Sequence, residues 1–286
     1  GRRALKNKWV YKIKQEENGQ KPRYRDWVVV KGCSQKKWID FEKIFSPVVK
    51  MTSVRTVLAM AATMDLEVEQ MDVKMTFLQD ELEEEIYMEQ PEAFEASGCE
   101  DMVCRLMKSL YGLKQAPSQW YKKFESFMTD HNFMKTDVNY HCVFVKRYET
   151  GDFLILLLYV DDMLIVGQDK IKIAAMKKAL NSSFTMKDLG PAKQIFGIKI
   201  IWDRKKKLLW LSQKKYVEKI LKRFNMDKAK TVSTPLFERL KLNQRQCPRS
   251  DKDKDEMEKI PYQFAVGSLM YAMVCTRPDL AYAVGM

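Results

Sequence analysis

The pattern of hydrophobic and polar residues changes along the chain and predicts both strands and helices. Residues 8–14 (KWVYKIK) and 24–32 (YRDWVVVKG) are rich in β-branched and aromatic residues, as strands are. Between them lies Asn18-Gly19, a dipeptide that favours a tight hairpin turn. The N-terminal region therefore predicts a two-stranded ribbon.

Helical patterns occur in three further segments. Residues 52–64 and 169–184 have helical composition, and a Thr or Ser at the start of the first is a typical helix cap. In residues 212–224, four apolar side chains recur at i, i+3, i+4 and i+7, which predicts an amphipathic helix with most of its basic residues off the apolar stripe. These apolar residues are Val217, Ile220, Leu221 and Phe224.

Other runs predict strands mixed with helices. Residues 66–73 alternate apolar and polar, as a half-buried strand does. Further strands are predicted at 142–145, 153–160, 163–166, 192–201 and 207–211, and two helices follow residue 259, the second beginning near Pro278. Because helices and strands alternate without a regular βαβ period, the expected fold class is α+β.

The run LLLYVDDMLIVG, residues 156–167, places two adjacent aspartates between two apolar strands. Asp161 and Asp162 are predicted to form the two-residue turn, since Asp tolerates the positive φ of tight turns. A plain surface turn is one interpretation. The alternative is a functional site, because burying a carboxylate is costly unless it is paired or binds a metal.

Charge is distributed unevenly over the 286 residues, whose net charge is +12. Residues 1–37 hold twelve Lys or Arg against three acids, and residues 201–230 hold eleven against three. Residues 80–101 hold ten acids and no base. Two basic zones are typical of a protein that binds a polyanion such as nucleic acid, although a solvated basic surface has the same composition.

Several classes of site and location are disfavoured. The six cysteines form no C-x-x-C pair, so free thiols in a reducing compartment are expected. The sequence has no phosphate-binding glycine loop of the G-x-x-x-x-G-K type, no H-E-x-x-H helix and no G-x-S-x-G elbow. With only His131 and His141 available, a Ser/His or Cys/His mechanism is poorly supported. No apolar run approaches a membrane span, and the first residues lack a secretion signal.

Asp72, at the end of the predicted strand 66–73, is a third candidate acid. Three acids on one sheet need a counter-charge, and hard oxygen ligands select Mg²⁺ or Mn²⁺. Two such ions about 3.5–4 Å apart can activate an attacking oxygen and stabilise a leaving oxygen in phosphoryl chemistry. The predicted metal ligands and catalytic residues are Asp72, Asp161 and Asp162.

The stretches YVDDM and QMDVKMTFL together resemble the reverse transcriptase of copia-type LTR retrotransposons. Further similar stretches follow in the same order along nearly the whole chain. They include FSPVVKMTSVRTVLAMAA, LEEEIYMEQPEAF, SLYGLKQAPSQWYKKF, MKDLGPAKQIFGIKI, LSQKKYVEKILKRFNM and GSLMYAMVCTRPDLAYAVG. The chain, which begins at Gly1 rather than Met, is thus expected to be a piece of a retrovirus-related Pol polyprotein.

The resemblance implies roles for individual residues. Asp72, Asp161 and Asp162 would hold two Mg²⁺ ions, with Mn²⁺ as a possible substitute. Phe77 would lie under the sugar of the incoming nucleotide and exclude a 2′-hydroxyl. The other implied nucleotide-binding residues are Lys31, Tyr111 and Gly112, the primer grip is Leu189 and Gly190, and the nucleic-acid backbone contacts are Lys215, Lys219, Lys222 and Arg223. For Phe77, Tyr111 and Leu189, ordinary core packing is the alternative.

The resemblance also implies a right-hand polymerase fold, with fingers and palm around an antiparallel sheet and a helical thumb. The expected boundaries are 1–202 for fingers and palm, 203–241 for the start of the thumb, 242–259 for a flexible charged connector and 260–286 for a C-terminal helical part that stops before ribonuclease H. The implied partners are an RNA template, a DNA primer and deoxynucleoside triphosphates, with no membrane. Flanking integrase and ribonuclease H domains are expected in the parent polyprotein, and a virus-like particle in the cytoplasm is the expected location.

The chain departs from the family's usual pattern at several positions. Trp27 stands where an arginine would meet the triphosphate, and Ser118 replaces the arginine after KQAP. Met75-Thr76 replaces Thr-Ala, and Gln79-Asp80 replaces Asn-Gly. These departures leave three hypotheses open, which are an active RNA-directed DNA polymerase, a catalytically decayed remnant that still binds nucleic acid, and an unrelated Mg²⁺ nuclease.

Overall fold

A computed structural model describes residues 3–14, 22–79, 81–136, 142–235, 243 and 247–286. The chain divides into two compact units, Gly1–Pro191 and Ala192–Met286. Helices and strands are mixed in both, which confirms the α+β class. None of the helices in the described ranges is long and apolar enough to cross a membrane.

The first unit holds three helices and ten strands among its described residues. The helices are α1 (Met51–Met64), α2 (Ala116–Asp130) and α3 (Lys170–Ser183). The strands are β1 (Asn7–Lys14), β2 (Arg23–Val30), β3 (Glu67–Val73), β4 (Glu81–Glu89), β5 (Val103–Lys108), β6 (Met134–Lys135), β7 (Val143–Arg147), β8 (Phe153–Tyr159), β9 (Asp162–Gly167) and β10 (Met186–Pro191).

A six-stranded antiparallel sheet in the order β10-β3-β9-β8-β7-β6 forms the centre of this unit. Five consecutive residues of β8 and five of β9 are buried, because these central strands are covered on both faces. α1 and α3 contact β9, and the ring of Phe124 on α2 packs against Phe144 on β7. The apolar pattern of 153–166 therefore marks the middle of the core.

The predicted ribbon is confirmed as the antiparallel pair β1–β2, with Asn7 opposite Val30 and Lys14 opposite Arg23. The Asn18-Gly19 turn lies outside the described residues. β4, which lies in the acidic stretch, forms a second antiparallel pair with β5. Leu5 bridges to Met88 of β4, so the base of the ribbon is tied to the β4–β5 pair.

The turn of the β8–β9 hairpin is shifted by one residue from the prediction. Tyr159 pairs directly with Asp162, so the two turn residues are Val160 and Asp161 rather than Asp161 and Asp162. Val160, not an aspartate, has the positive φ, at 55°. Pairing of the two apolar strands determines the register, and it outweighs the local preference of Asp for the left-handed region.

The second unit contains a three-stranded sheet and four helices among its described residues. The elements are β11 (Gln194–Ile195), β12 (Ile198–Asp203), β13 (Leu208–Ser212), α4 (Lys214–Arg223), α5 (Asp251–Glu258), α6 (Tyr262–Cys275) and α7 (Ala281–Gly285). β12, which the expected boundaries put at the end of the palm, pairs with β13 in this unit.

Two of the predicted elements differ from the structure in this unit. The single strand expected at 192–201 is a hairpin, because Phe196 and Gly197 both adopt positive φ and form a two-residue turn. Within the expected connector at 242–259, residues 251–258 are helical. Ser250 and Asp253 form a capping box at the start of α5, which stabilises a helix even in a highly charged sequence.

The predicted amphipathic helix is confirmed as α4, although none of its residues is fully buried. The predicted helix at 52–64 is confirmed as α1, but its cap is different. Lys50 is the N-cap residue and no side chain caps the helix, so the prediction of a Thr or Ser cap is wrong. All six cysteines are free thiols.

Candidate active site

Asp72 and Asp162 lie side by side in the central sheet. β3 pairs antiparallel with β9, and Asp72 is directly opposite Asp162. Directly opposed residues of antiparallel strands project to the same face with Cβ atoms about 4.5–5.5 Å apart. Two acids that are 90 positions apart in the sequence therefore form one carboxylate pair at the end of β3.

Asp161 stands beside this pair at the tip of the hairpin. The backbone N–H of Val73 donates to the Asp161 carbonyl at 2.9 Å, which ties the turn to the end of β3. Burial and, to a smaller extent, the charges of Asp72 and Asp162 together raise the pKa of Asp161 to about 6. The negative charges of Asp72 and Asp162 are therefore close enough to act on the Asp161 carboxylate.

Gln70 was not predicted as a site residue. Its side-chain amide donates to Asp162 Oδ1 at 3.3 Å, and Gln70 is only 7% exposed. Burial raises the pKa of Asp162, the Gln70 hydrogen bond opposes that rise, and the Asp72 charge adds to it. The period of two in β3 could have indicated Gln70, because residues i and i+2 of a strand share a face.

The donor set fits a divalent cation by its chemistry. In the described part of the chain, no Lys or Arg forms an ion pair with Asp72, Asp161 or Asp162, although the three repel each other. Carboxylate oxygens are the ligands that Mg²⁺ and Mn²⁺ prefer. Across the same described ranges, however, no three His, Cys, Asp or Glu side chains are already arranged as a metal-binding group.

Phe77 and Tyr111 form an aromatic pair next to the acids. Their ring centroids are 4.8 Å apart in an edge-to-face arrangement. Burial raises the pKa of Tyr111, the charge of Asp161 adds to the rise, a hydrogen bond with Thr76 opposes it, and Asp72 adds a smaller contribution. The predicted nucleotide-binding residues Phe77 and Tyr111 thus lie together, with the Tyr111 side chain near the carboxylates.

Gly112 is required by close backbone packing. Its φ is 97°, and a Cβ placed on it would lie 2.0 Å from the carbonyl oxygen of Val30. A Cβ on Gly32 would in turn lie 2.0 Å from the Gly112 carbonyl oxygen. The segment that carries Lys31 is therefore held against the loop of Tyr111 and Gly112, while the Lys31 side chain is exposed.

A cleft of about 790 Å³ is lined on one side by the ribbon and on the other by residues that include Tyr111 of this aromatic pair. Its lining includes the basic residues Lys12, Arg23 and Arg25. Met75, with a φ of 50°, and Tyr111 line the other side. The pairing of Lys12 with Arg25 could not be read from the sequence, because it depends on the register of the ribbon.

Trp27 also lines this cleft. It is opposite Val10, whereas Trp9 is opposite Val28. Because side chains alternate along a strand, Trp27 projects to the same face as Lys12 and Arg25, and Trp9 projects to the other face with Tyr11. Trp9 stacks on Tyr11 at 6.4 Å. Trp27 therefore lies on the opposite face of the ribbon from Trp9 and Tyr11.

The predicted primer-grip residues lie next to the acids on the neighbouring strand. β10 pairs with β3 and has a bulge between Asp188 and Gly190. Gly190 has a φ of 69° and is opposite Gln70, and Leu189 is 40% exposed. Lys177 binds both Asp188, at 2.8 Å, and Glu69, at 2.6 Å, which fixes the bulge on the sheet.

The predicted backbone contacts belong to the second unit. Lys215, Lys219, Lys222 and Arg223 are exposed on α4. The guanidinium of Arg223 lies 4.5 Å from the ring centroid of Phe264. The structure thus brings together Asp72, Asp161, Asp162, Phe77, Tyr111 and Gly112 in the first unit, with Lys31 and the β10 bulge nearby. The four α4 residues belong to the second unit.

Metal-free protein is expected to lose stability as the pH rises through the range in which Asp161 ionises. The folded-state pKa of Asp161, about 6, exceeds 3.8, the ordinary pKa of an aspartate. Between these values the folded state holds a proton that the unfolded state releases, so the free energy of unfolding falls with rising pH. Asp161→Asn removes this effect and should stabilise the protein at neutral pH by at most about 3 kcal/mol. Urea unfolding in EDTA measures the difference.

The comparison of the variant with the wild type at two pH values isolates this effect. The stability advantage of Asp161→Asn should be present at about pH 7.5 and largely absent near pH 3, where Asp161 is mostly protonated in both states. An advantage of equal size at both values would show that like-charge repulsion and burial of the carboxylate are not its cause.

Comparisons with known proteins show the family of the chain. The sequence model of the family described as reverse transcriptase (RNA-dependent DNA polymerase) matches residues 1–238. A retrovirus-related Pol polyprotein from transposon TNT 1-94 of Nicotiana tabacum is 60% identical over 286 residues, which are 100% of this chain and 22% of the relative. The Pol polyprotein from transposon RE2 of Arabidopsis thaliana is 36% identical over 277 residues, 97% of this chain and 18% of the relative.

The chain belongs to the reverse transcriptase family. Within the family it corresponds to the reverse transcriptase domain of copia-type Pol polyproteins. The resemblance seen in the sequence is thereby confirmed. The chain spans only about a fifth of the length of these Pol relatives.

Proposed function

We propose that this chain is an RNA-directed DNA polymerase that extends a DNA primer on an RNA template. The observation that carries the proposal is the direct opposition of Asp72 and Asp162 on β3 and β9, with Asp161 at the adjoining turn. In this proposal the six-stranded sheet is the palm, the β1–β2 ribbon belongs to the fingers, and α4 begins the thumb. The unrelated nuclease loses its support, because the chain belongs to the reverse transcriptase family.

The three aspartates would hold two Mg²⁺ ions. When bound, such ions activate the attacking oxygen of the primer and stabilise the leaving oxygen of the pyrophosphate. The rigid sheet keeps Asp72 and Asp162 opposed, and Gln70 orients the Asp162 carboxylate through its hydrogen bond. Mutual repulsion in the metal-free protein is relieved when cations bind, so part of the cost of gathering the acids is recovered on binding.

The cleft beside the ribbon would take the incoming nucleotide. Lys12, Arg23 and Arg25 supply positive charge along one side, as a triphosphate requires. Tyr111 joins this cleft to the carboxylates, because it lines the cleft and its pKa responds to Asp161 and Asp72. The β10 bulge at Leu189 and Gly190 would support the primer end on the neighbouring strand.

Replacing Phe77 with Val is expected to raise the use of ribonucleotides relative to deoxynucleotides by about tenfold or more. The smaller side chain opens space where the 2′-hydroxyl would lie, and discrimination by shape in a pocket is worth about 1–3 kcal/mol. The ratio of kcat/KM for one nucleotide in its two forms measures this change. A matched control is Phe94→Val, since Phe94 is an exposed aromatic residue that packs on Trp9.

An unchanged ratio in Phe77→Val would assign Phe77 to packing alone. Phe77 does pack against a buried cluster that includes Leu5, Val30 and Leu113, so the variant is also expected to lose stability. The two effects separate, because lost packing lowers the midpoint of unfolding without changing the preference for one sugar over the other.

The second candidate function is nucleic-acid binding without catalysis. One observation favours it, which is that Trp27 projects into the basic cleft where the family has an arginine. A chain of this kind would retain the palm and its charge but bind the triphosphate poorly. Partners in either case are an RNA template and a DNA primer, and we also propose that a parent polyprotein supplies integrase and ribonuclease H within a cytoplasmic particle.

Primer extension on an RNA template tests the proposal. The purified chain is incubated with a labelled DNA primer annealed to RNA, all four deoxynucleotides, and either Mg²⁺, Mn²⁺ or EDTA. Extension with either cation and none in EDTA is the expected result. Tight binding of the primer–template without extension in any cation would favour the second candidate.

A further inference from the structure

The tip of the β8–β9 hairpin has an unusual backbone conformation for its sequence. Val160 is the first of the two turn residues, and its φ of 55° lies in the left-handed region. A β-branched residue rarely adopts this conformation, and two-residue turns with a positive φ at this position usually have glycine there. Such a conformation persists only where the surrounding structure holds it.

Two neighbouring elements hold this turn at its carbonyl groups. The indole Nε1–H of Trp120 on α2 donates to the Val160 carbonyl oxygen at 2.9 Å. The backbone N–H of Val73 donates to the Asp161 carbonyl oxygen, also at 2.9 Å. The turn is therefore fixed from α2 on one side and from the end of β3 on the other.

Trp120 is itself held rigidly. It is only 2% exposed, and its ring lies 5.7 Å from the Phe124 ring and 5.2 Å from the Phe184 ring. An indole has a single polar group, which can only donate, and here that group is directed at the turn. Packing alone does not require the indole N–H, because the phenyl ring of a Phe at position 120 would also fill much of the space that the Trp120 ring occupies.

We infer that Trp120 is a positioning residue for the reaction. Its N–H holds the Val160 carbonyl, and through the rigid peptide that follows it sets the direction of the Asp161 side chain relative to Asp72 and Asp162. Trp120 acts through the backbone of the turn. The inference rests on the proposed function, in which Asp161 holds a cation.

The test replaces the donor while keeping the ring. Site-specific incorporation of 3-benzothienylalanine at position 120 substitutes sulfur for the N–H in a ring of nearly the same shape, and Trp120→Phe is the simpler variant. Hydrogen–deuterium exchange of the metal-free protein reports on peptides that span residues 156–164. A titration with Mn²⁺, followed by the electron paramagnetic resonance of the free ion, gives the Kd for the cation without any need for activity.

Both readouts are expected to change by about fivefold in the variants, since one net hydrogen bond is lost. Exchange at the turn should be faster, and Mn²⁺ should bind more weakly. Phe124→Leu is the matched control, because Phe124 belongs to the same buried cluster and contacts the Trp120 ring. It should lower the midpoint of unfolding but leave turn exchange and the Kd near the wild-type values.

The inference would be overturned if the benzothienyl variant had wild-type exchange at the turn and wild-type affinity for Mn²⁺. It would also be overturned if Phe124→Leu changed both readouts as much as Trp120→Phe does, since packing would then explain the result. Faster exchange at the turn in a protein whose wild type binds no Mn²⁺ would support the hold of Trp120 on the turn and count against the proposed function.

Discussion

Asparagine in place of Asp161 is expected to lower the rate of primer extension at least about a thousandfold. The substitution removes one of three neighbouring carboxylates, whose charges already influence one another in the folded chain. Losing about 4 kcal/mol of charge stabilisation in the transition state corresponds to that factor. Single-turnover extension of a labelled primer with saturating Mg²⁺ and deoxynucleotides measures the rate.

Unfolding cannot account for such a loss, because the same substitution is expected to stabilise the metal-free protein at neutral pH. Asp152→Asn is the matched control. Asp152 lies before the other end of β8 and forms an ion pair with Lys172 at 2.5 Å. Its replacement should leave the extension rate within about twofold of the wild type. Extension by Asp161→Asn at more than about a tenth of the wild-type rate would contradict the assigned role.

Arginine in place of Trp27 is expected to lower the KM for deoxynucleotides by about tenfold or more, while the affinity for primer–template barely changes. Trp27 projects to the face that carries Lys12 and Arg25, and it lines the cleft with them. Indole has one neutral donor, whereas guanidinium can make paired charged hydrogen bonds to phosphate. Each hydrogen bond to a charged group is worth roughly 1.5–3 kcal/mol.

Trp38→Arg is the control for the added charge. Trp38 is 72% exposed and does not line this cleft, so its replacement adds the same charge elsewhere on the first unit. Steady-state kinetics on both variants decides the question. An unaltered KM in Trp27→Arg would mean that Arg25 or another cleft residue already serves the triphosphate and that Trp27 does not limit the enzyme.

Individual strands and helices could be predicted, because each depends on the spacing of apolar residues within a short stretch of sequence. The two apolar runs at 153–166 are separated by too few residues to do anything but pair as a hairpin, and the structure confirms β8 and β9. The spacing of Val217, Ile220 and Leu221 similarly predicts α4, which the structure confirms. The family resemblance, which is confirmed, linked these elements to a polymerase.

The register between distant strands could not be predicted from such patterns. That Asp72 is opposite Asp162 depends on β3–β9 pairing. Because β9 is apolar on both faces, its sequence does not reveal which of its residues are opposite those of β3. For the same reason the predicted turn, Asp161 and Asp162, was shifted by one residue from the observed turn, Val160 and Asp161. The bond from Trp120 to Val160 connects residues 40 positions apart, and no local signal in the segment around Trp120 indicates it.

The most direct measurement of the central claim is the addition of a single templated nucleotide to a primer on an RNA template. Four templates that differ only in the first unpaired base are each offered the four deoxynucleotides separately, with Mg²⁺ present and the protein in excess. The account predicts addition of the complementary nucleotide on each template, with no addition in EDTA. Saturated binding of the primer–template with no addition on any template, in Mg²⁺ or Mn²⁺, would contradict it.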